Sequence, residues 1–161
     1  MKGIGYIHLD TSGHARWEAV GELFSRMYVS MEELGLMLPL TEEGAEKWLR
    51  TVKNTSGKFG LVILALDENE PVGFAQGMIK FLPDYLGGHP VGMIGHVYVE
   101  EKWRRAGTGR ELVRELENWF KMKNVHSVEL QVISTNPAAK AFWSDLGYEQ
   151  ELVQYRKFKL L

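Results

Sequence analysis

The sequence predicts an α/β fold of the α+β kind: a mixed, mostly antiparallel central sheet of about seven strands, flanked by helices. Three observations carry this. Short apolar or alternating runs recur at Ile4 to Leu9, Gly60 to Leu66, Val72 to Phe81, Val91 to Val99 and Ser127 to Ile133, which is strand patterning. The second and third of these runs are joined through a short hairpin turned by Asp67-Glu68-Asn69-Glu70, followed by Pro71. The fourth and fifth are separated by an amphipathic helix, the kind of connection that a parallel pair requires. Antiparallel strands first and a parallel pair later make a mixed sheet, with helices available for both faces.

The elements follow in order. After the Ile4 to Leu9 strand, Gly13 to about Tyr28 reads as a helix with Trp17, Val20, Leu23, Phe24 and Met27 on one side and Ser12 as a potential cap. Val29 to Leu40 breaks that period and contains Pro39. Thr41 can then cap a helix with Glu42 and Glu43 in its first turn and Trp48, Leu49 and Val52 facing inward. Beyond the hairpin strands, Pro83 to Gly88 is a loop. A helix beginning in or beside Gly107 to Gly109 turns Leu112, Val113, Leu116, Trp119 and Phe120 to one side, with Arg110, Glu111, Arg114, Glu115, Glu117 and Lys121 opposite. Asn136 and Pro137 suit the N-cap and first position of a short helix that Gly147 can end. Final strands are expected near Tyr148 to Val153 and Gln154 to Leu160.

Residues 1–161 are expected to form a single domain, since the length suits one core and no linker, repeat or low-complexity stretch interrupts it. A formal charge of −2 argues against nonspecific nucleic-acid or membrane binding as the main role. With no cysteine, the chain has neither a disulfide framework nor a thiol nucleophile, so any thiol chemistry belongs to a bound molecule. No apolar run of about 18 residues and no signal-peptide core is present, which makes the cytoplasm the expected location.

The most informative stretch is Val97-Tyr98-Val99-Glu100-Glu101-Lys102-Trp103-Arg104-Arg105-Ala106-Gly107-Thr108-Gly109-Arg110: a strand, a basic glycine turn, then a helix. First-turn helix amides lack internal partners and lie at the positive end of the helix dipole, so they suit an anion. Arg104, Arg105 and Arg110 add positive charge. Two phosphate motifs are excluded: Leu112 occupies the position of the third glycine of GxGxxG, and GxxxxGK[ST] occurs nowhere. What remains is RxxGxG, from Arg104 to Gly109. One helix and one strand later comes Asn136-Pro137-Ala138-Ala139-Lys140-Ala141-Phe142-Trp143-Ser144-Asp145-Leu146-Gly147-Tyr148.

Together these two motifs resemble those of the GNAT superfamily of acetyl-CoA-dependent N-acetyltransferases. The first matches its pyrophosphate motif. The second is similar to NxxAxxFYxxxGF, with Trp143 for tyrosine and Tyr148 for phenylalanine. The resemblance is strong over residues 59 to 151, including Pro71-Val72-Gly73-Phe74-Ala75-Gln76-Gly77 after the hairpin. It implies a GNAT-like sheet whose parallel pair splays apart at the cofactor site, and direct transfer of acetyl from acetyl-CoA to a primary amine of a small molecule or peptide. By this resemblance the pantetheine pairs with the backbone of Val97, Tyr98 and Val99. The pyrophosphate is held by Arg104, Arg105, Ala106, Gly107, Thr108, Gly109 and Arg110. Asn136, Ala139, Phe142 and Trp143 flank the cofactor, although helix capping alone would also explain Asn136.

The reaction needs a base, because an alkyl ammonium, which in water loses its proton only near pH ~10.4, is almost wholly protonated at neutral pH. His96 is the first candidate, on the splayed strand; Glu100 and Glu101 are second, and His8, His14, His89 and His126 have weaker claims. Members of the superfamily commonly use the tyrosine of the second motif as the acid for the departing thiolate, and Trp143 cannot fill that role, because an indole N–H is a hydrogen-bond donor only. Tyr98 or Tyr148 can replace it, or water can protonate a thiolate whose own pKa is ~8.5; the third option is a weakly active site. The acceptor wall is expected in segment 28 to 40, with Glu32, Glu33 and Asp84 as possible ammonium partners. Two other functional classes remain in view: a noncatalytic acyl-CoA-binding or sensing module, and a nucleic-acid binder using the three arginines, which the lack of wider basic clustering disfavours. A homodimer is retained among the partners; no nucleic acid, membrane or metal enters the expectation.

Overall fold

The computed structural model describes residues 3–159. Five strands, β1 (Gly5–Leu9), β2 (Gly60–Asp67), β3 (Glu70–Phe81), β4 (Pro90–Val99) and β5 (Val128–Leu130), form one sheet in the order β1-β2-β3-β4-β5. The first three pairings are antiparallel and β4–β5 is parallel, as expected of a mixed sheet. Four helices accompany it: α1 (Trp17–Glu33), α2 (Gly44–Thr55), α3 (Thr108–Met122) and α4 (Pro137–Asp145).

Both faces of the sheet are covered, because alternate residues of β2 point to opposite sides. Leu61, Ile63 and Ala65 pack with Leu112, Val113, Leu116, Trp119 and Phe120 of α3. Val62, Leu64 and Leu66 pack with Trp17, Val20, Leu23, Phe24 and Met27 of α1 and Val52 of α2. The helical stripes predicted for α1 and α3 are therefore the two cores. Each fully buried side chain of this size contributes about 1.5–3 kcal/mol of transfer free energy, so these stripes dominate the stability of the fold.

The structure corrects several expected boundaries. Helix α1 begins at Trp17, not Gly13, and has no side-chain cap; Ser12 lies in the turn before it. It also runs through Val29 to Glu33, where the sequence predicts a break. Thr41 caps α2 only through its carbonyl, which accepts from the Gly44 amide at 2.9 Å, while Glu43 occupies the N-cap. The Ser127 to Ile133 strand shortens to Val128–Leu130 because its pairing with β4 stops early.

The largest difference concerns the number of strands: five are formed among the described residues, not about seven. The strands expected at Tyr148 to Val153 and Gln154 to Leu160 are absent over the described part; Leu160 lies outside the described residues. Residues 149–159 run without a turn, bend or ladder, and all are exposed. The physical reason is in the sequence: no Gly, Pro, Asn or Asp follows Gly147, so nothing favours folding one half of the segment back on the other.

Candidate functional site

The site begins with an irregularity in β4. Gln76 of β3 is opposite His96, but the next residue, Gly77, is opposite Ile94, so Gly95 is an extra residue bulged out of the ladder. Only glycine fits there: a β-carbon on Gly95 would lie 2.1 Å from Gln76 Oε1. The parallel pairing with β5 also ends at this point, at Ile94 opposite Leu130. Past the bulge, His96, Val97, Tyr98 and Val99 have no strand partner on the β5 side among the described residues. Beyond Ile94 this leaves a slot along the unpaired edge of β4.

At the end of this slot lies the glycine turn. Gly107 is the N-cap of α3 in the left-handed conformation, φ 87°, a region that costs a residue with a β-carbon about 1 kcal/mol or more. The first helical bond is from the Glu111 amide to the Gly107 carbonyl, 3.0 Å, which leaves the amides of Thr108, Gly109 and Arg110 without intrahelical acceptors. Arg105, Ala106, Gly107 and Arg110 are exposed around them, and among the described residues neither Arg105 nor Arg110 has an ion-pair partner. Arg104 is used differently: its Nε donates to the Val99 carbonyl at 2.7 Å and its guanidinium lies 5.6 Å from the Tyr98 ring centre, bracing the strand end.

The other wall is α4. The Asn136 side chain accepts from the Ala139 amide at 3.1 Å, fixing the helix start. Phe142 lies against Gly109, within 3.5 Å of where a β-carbon would be, and Trp143 meets Phe142 and Tyr148 edge to face. The Tyr148 hydroxyl donates to Glu117 Oε1 at 2.9 Å, and burial, then the Glu117 contact, raises its pKa. Tyr148 is thus tied to the middle of α3, away from the glycine turn. Tyr98 remains on the slot side. Its hydroxyl donates to Glu100 at 3.1 Å, and burial, with the Glu100 charge, holds it protonated above the usual phenol range.

The titratable groups beside the slot have defined partners. His96 is enclosed by aromatic rings, with Phe24 at 5.2 Å and Trp48 at 5.5 Å between centroids, both edge to face. Its Nδ1 is 3.3 Å from Oε1 of Gln76, which is 2% exposed. Burial lowers the His96 pKa to about 4, so the imidazole is neutral at physiological pH. The Glu100 carboxylate is committed twice, to Arg26 and to the Tyr98 hydroxyl, and the Arg26 pairing raises the guanidinium pKa. Glu101 begins an exposed 3-10 turn. His8 pairs with Glu115 at 2.7 Å, and His89 stacks on His126, so both groups are engaged away from the slot. Glu32, Glu33 and Asp84 are exposed.

Three contributors were not singled out from sequence: Gln76, Arg26 and the stacked Phe24–Trp48 pair, whose centroids are 3.8 Å apart. A polar Gln76 inside an apolar strand was the available signal. Within segment 28 to 40, the Leu34 carbonyl accepts from the hydroxyl of Thr135, in the loop before α4.

The arrangement suits an extended amide chain along the unpaired edge of β4 and a diphosphate at the α3 amides. Residues 17–148 match the acetyltransferase (GNAT) family. An aminoglycoside N(6')-acetyltransferase type 1 of Stenotrophomonas maltophilia is 27% identical over 131 residues, covering 79% of this chain and 82% of that protein. Among solved structures, aminoglycoside N-acetyltransferase AAC(6')-Iy in complex with CoA superposes with a TM-score of 0.76 at 14% identity, covering 98% and 96% of the two chains. An aminoglycoside acetyltransferase from an uncultured soil metagenomic sample, in complex with sisomicin, gives 0.72 at 19%, covering 97% and 96%.

Proposed function

The chain belongs to the acetyltransferase (GNAT) family and is an acetyl-CoA-dependent N-acetyltransferase, and on that premise we propose that its acceptor is a primary amine on a small polycationic molecule of the aminoglycoside type. The observation that carries the cofactor half is the slot itself: β4 backbone unpaired among the described residues, leading to free α3 amides between Arg105 and Arg110, which have no ion-pair partner among those residues. The acceptor half rests on charge and on the names of the similar proteins. From Tyr28 to Glu46 the chain carries Glu32, Glu33, Glu42, Glu43 and Glu46, of which Glu43 pairs with Lys47, and the Thr135–Leu34 bond joins this stretch to the loop before α4. Such a field draws a polycation more strongly than a monoamine.

When bound, acetyl-CoA supplies a thioester acyl group. The residues of the chain then have distinct tasks. Val97, Tyr98 and Val99 offer backbone to the pantetheine; Thr108, Gly109 and Arg110 amides with the Arg105 and Arg110 guanidinia hold the pyrophosphate; Arg104 acts through the strand end; Asn136, through Ala139, sets the α4 wall with Phe142 and Trp143. His96 accepts the proton that the amine nitrogen sheds as it is acylated; with a pKa of about 4 it is too weak a base to strip a free ammonium, so the amine reacts from its neutral form. With Nδ1–H donating to Gln76 Oε1, the lone pair is on Nε2, and an imidazole kept neutral by burial is in the accepting form throughout the physiological range. Glu100, already shared by Arg26 and Tyr98, orders the strand end. Tyr148 is placed for packing, so Tyr98 or water returns the proton to the sulfur.

The test is acetyl-CoA-dependent release of free thiol with an amino sugar, a polyamine, an amino acid and a peptide as acceptors. Turnover with the amino sugar, declining steeply as salt rises, is expected. Trp143 at the tyrosine position favours the second reading, a noncatalytic acyl-CoA module. Binding of acetyl-CoA without amine-dependent thiol release from any acceptor would establish that reading and refute the first.

A further inference from the structure

Arg105, in the middle of the glycine turn, holds a backbone conformation that arginine does not favour: its φ is 62°, in the left-handed region. Gly107 at φ 87° accepts that region freely, but a residue with a β-carbon stays there only where the chain on both sides is fixed. Downstream the fixing is plain. Thr108 is 2% exposed and opens α3, whose apolar stripe is buried against the sheet. Between Arg105 and Gly107 every residue is exposed, so the upstream restraint has to act before Arg105.

That restraint is at Trp103, the last residue of a single 3-10 turn, Glu101–Trp103. Its half-buried ring packs on the core shared with α3, and its Nε1 donates to Asp67 Oδ2 at 2.9 Å. An indole N–H on a carboxylate is a charge-assisted bond, stronger than one between neutral groups. Asp67 ends β2, where the chain turns into β3. The hairpin is itself secured: Arg16 donates to the Asn69 carbonyl at 3.1 Å, and the Glu100 amide donates to the Val72 carbonyl at 2.8 Å. Trp103 is thus tied to the hairpin and Arg104 to the Val99 carbonyl, and the next residue is the strained one.

We propose that the Asp67–Trp103 hydrogen bond is a clamp through which the β2–β3 hairpin holds the glycine turn in its anion-binding form, which makes Asp67 and Trp103 positioning residues for the cofactor diphosphate. The inference rests on the reading of this turn as the diphosphate site. The two side chains act through the backbone. Released at Trp103, the chain can return Arg105 to a negative φ, which re-aims the Arg105 guanidinium and the Ala106 and Gly107 amides relative to the amides that start α3. The clamp therefore supplies preorganisation: a ligand meets a turn already in shape and does not have to order it.

Two acyl donors separate this role from a general structural one. S-acetylpantetheine carries the same thioester and pantetheine as acetyl-CoA but has no diphosphate. Trp103→Phe, which keeps a ring in the core and removes the donor, and Asp67→Leu should each bind CoA about 5-fold or more weakly in calorimetry. They should lower kcat/KM for acetyl-CoA to match, through KM, and leave kcat/KM for S-acetylpantetheine unchanged. The double variant should be no weaker than either single one, because both remove the same bond. Asp67→Asn keeps an oxygen acceptor and should bind CoA within about 2-fold of the wild type. Unchanged CoA affinity in Trp103→Phe and Asp67→Leu, an equal fall with both donors, or a loss in Asp67→Asn as large as that in Asp67→Leu would each overturn the clamp. A wild type that fails to bind CoA would refute the diphosphate reading itself, and the clamp with it.

Discussion

The buried histidine provides a prediction with a sign and a size. His96 has a pKa of about 4 in the folded protein because of burial, against about 6.5 when the chain is unfolded. Between these values the unfolded state binds a proton that the folded state refuses. Stability attributable to this group is therefore complete above the unfolded value and is lost as pH falls towards 4. From pH 7 to pH 4.5 the loss from His96 alone is about 2 kcal/mol, since one pKa unit is worth about 1.4 kcal/mol and the group is partly open to solvent. The perturbation is His96→Gln, which keeps a hydrogen-bonding partner for Gln76 and does not titrate. Urea unfolding of both proteins at the two pH values is the assay. The variant starts less stable at pH 7, because it loses packing against Phe24 and Trp48, but its further loss on acidification should be smaller than that of the wild type by about 2 kcal/mol. Carboxylates titrating elsewhere are common to both proteins and cancel. Equal pH dependence would refute the idea that His96 is held neutral by its surroundings, and with it the assignment of a proton acceptor already in working form.

Replacing Arg105 and Arg110 together by Gln should raise KM for acetyl-CoA about 10-fold or more with kcat little changed, because these guanidinia touch only the non-reacting diphosphate; steady-state thiol release measures it. Gly95→Ala should cost about 1–3 kcal/mol in chemical denaturation, since the new methyl must displace the buried Gln76 amide, and acetyl transfer should fall with it. Trp143→Tyr should leave acetyl-CoA affinity within a few-fold; if water now protonates the thiolate, kcat stays within a few-fold as well, whereas a gain of about 10-fold or more in single-turnover rate would show that the native site lacks an acid. The pH profile of kcat/KM should show no inflection near 6.5, because the proposed base titrates near 4; an imidazole-like limb there would assign the base to another group.

How much of this was legible depended on which physical rule governed each residue. Leu112, Val113, Leu116, Trp119 and Phe120 of α3 disclosed a core face because helical period and burial act together over four turns. Gly107 was readable because a left-handed N-cap beside free amides requires a particular residue at a particular place. Gly95 was not. A glycine in a strand has many causes, and this one depends on a contact with Gln76 nineteen positions earlier, so neither residue signals the bulge alone. The same bulge shortened β5 to Val128–Leu130, against an alternation that runs on to Val132: alternation records which side chains face a core, and it is silent about where a partner strand turns away.

The residues from Tyr148 to Leu160 predict two further strands, and neither forms over the described part. Their apolar residues do not keep a period of two: Leu152 and Val153 are adjacent, as are Arg156 and Lys157, so the segment defines no single face for a core to bury. Turn residues that would fold one half against the other are also absent after Gly147, and both signals are visible in the sequence alone.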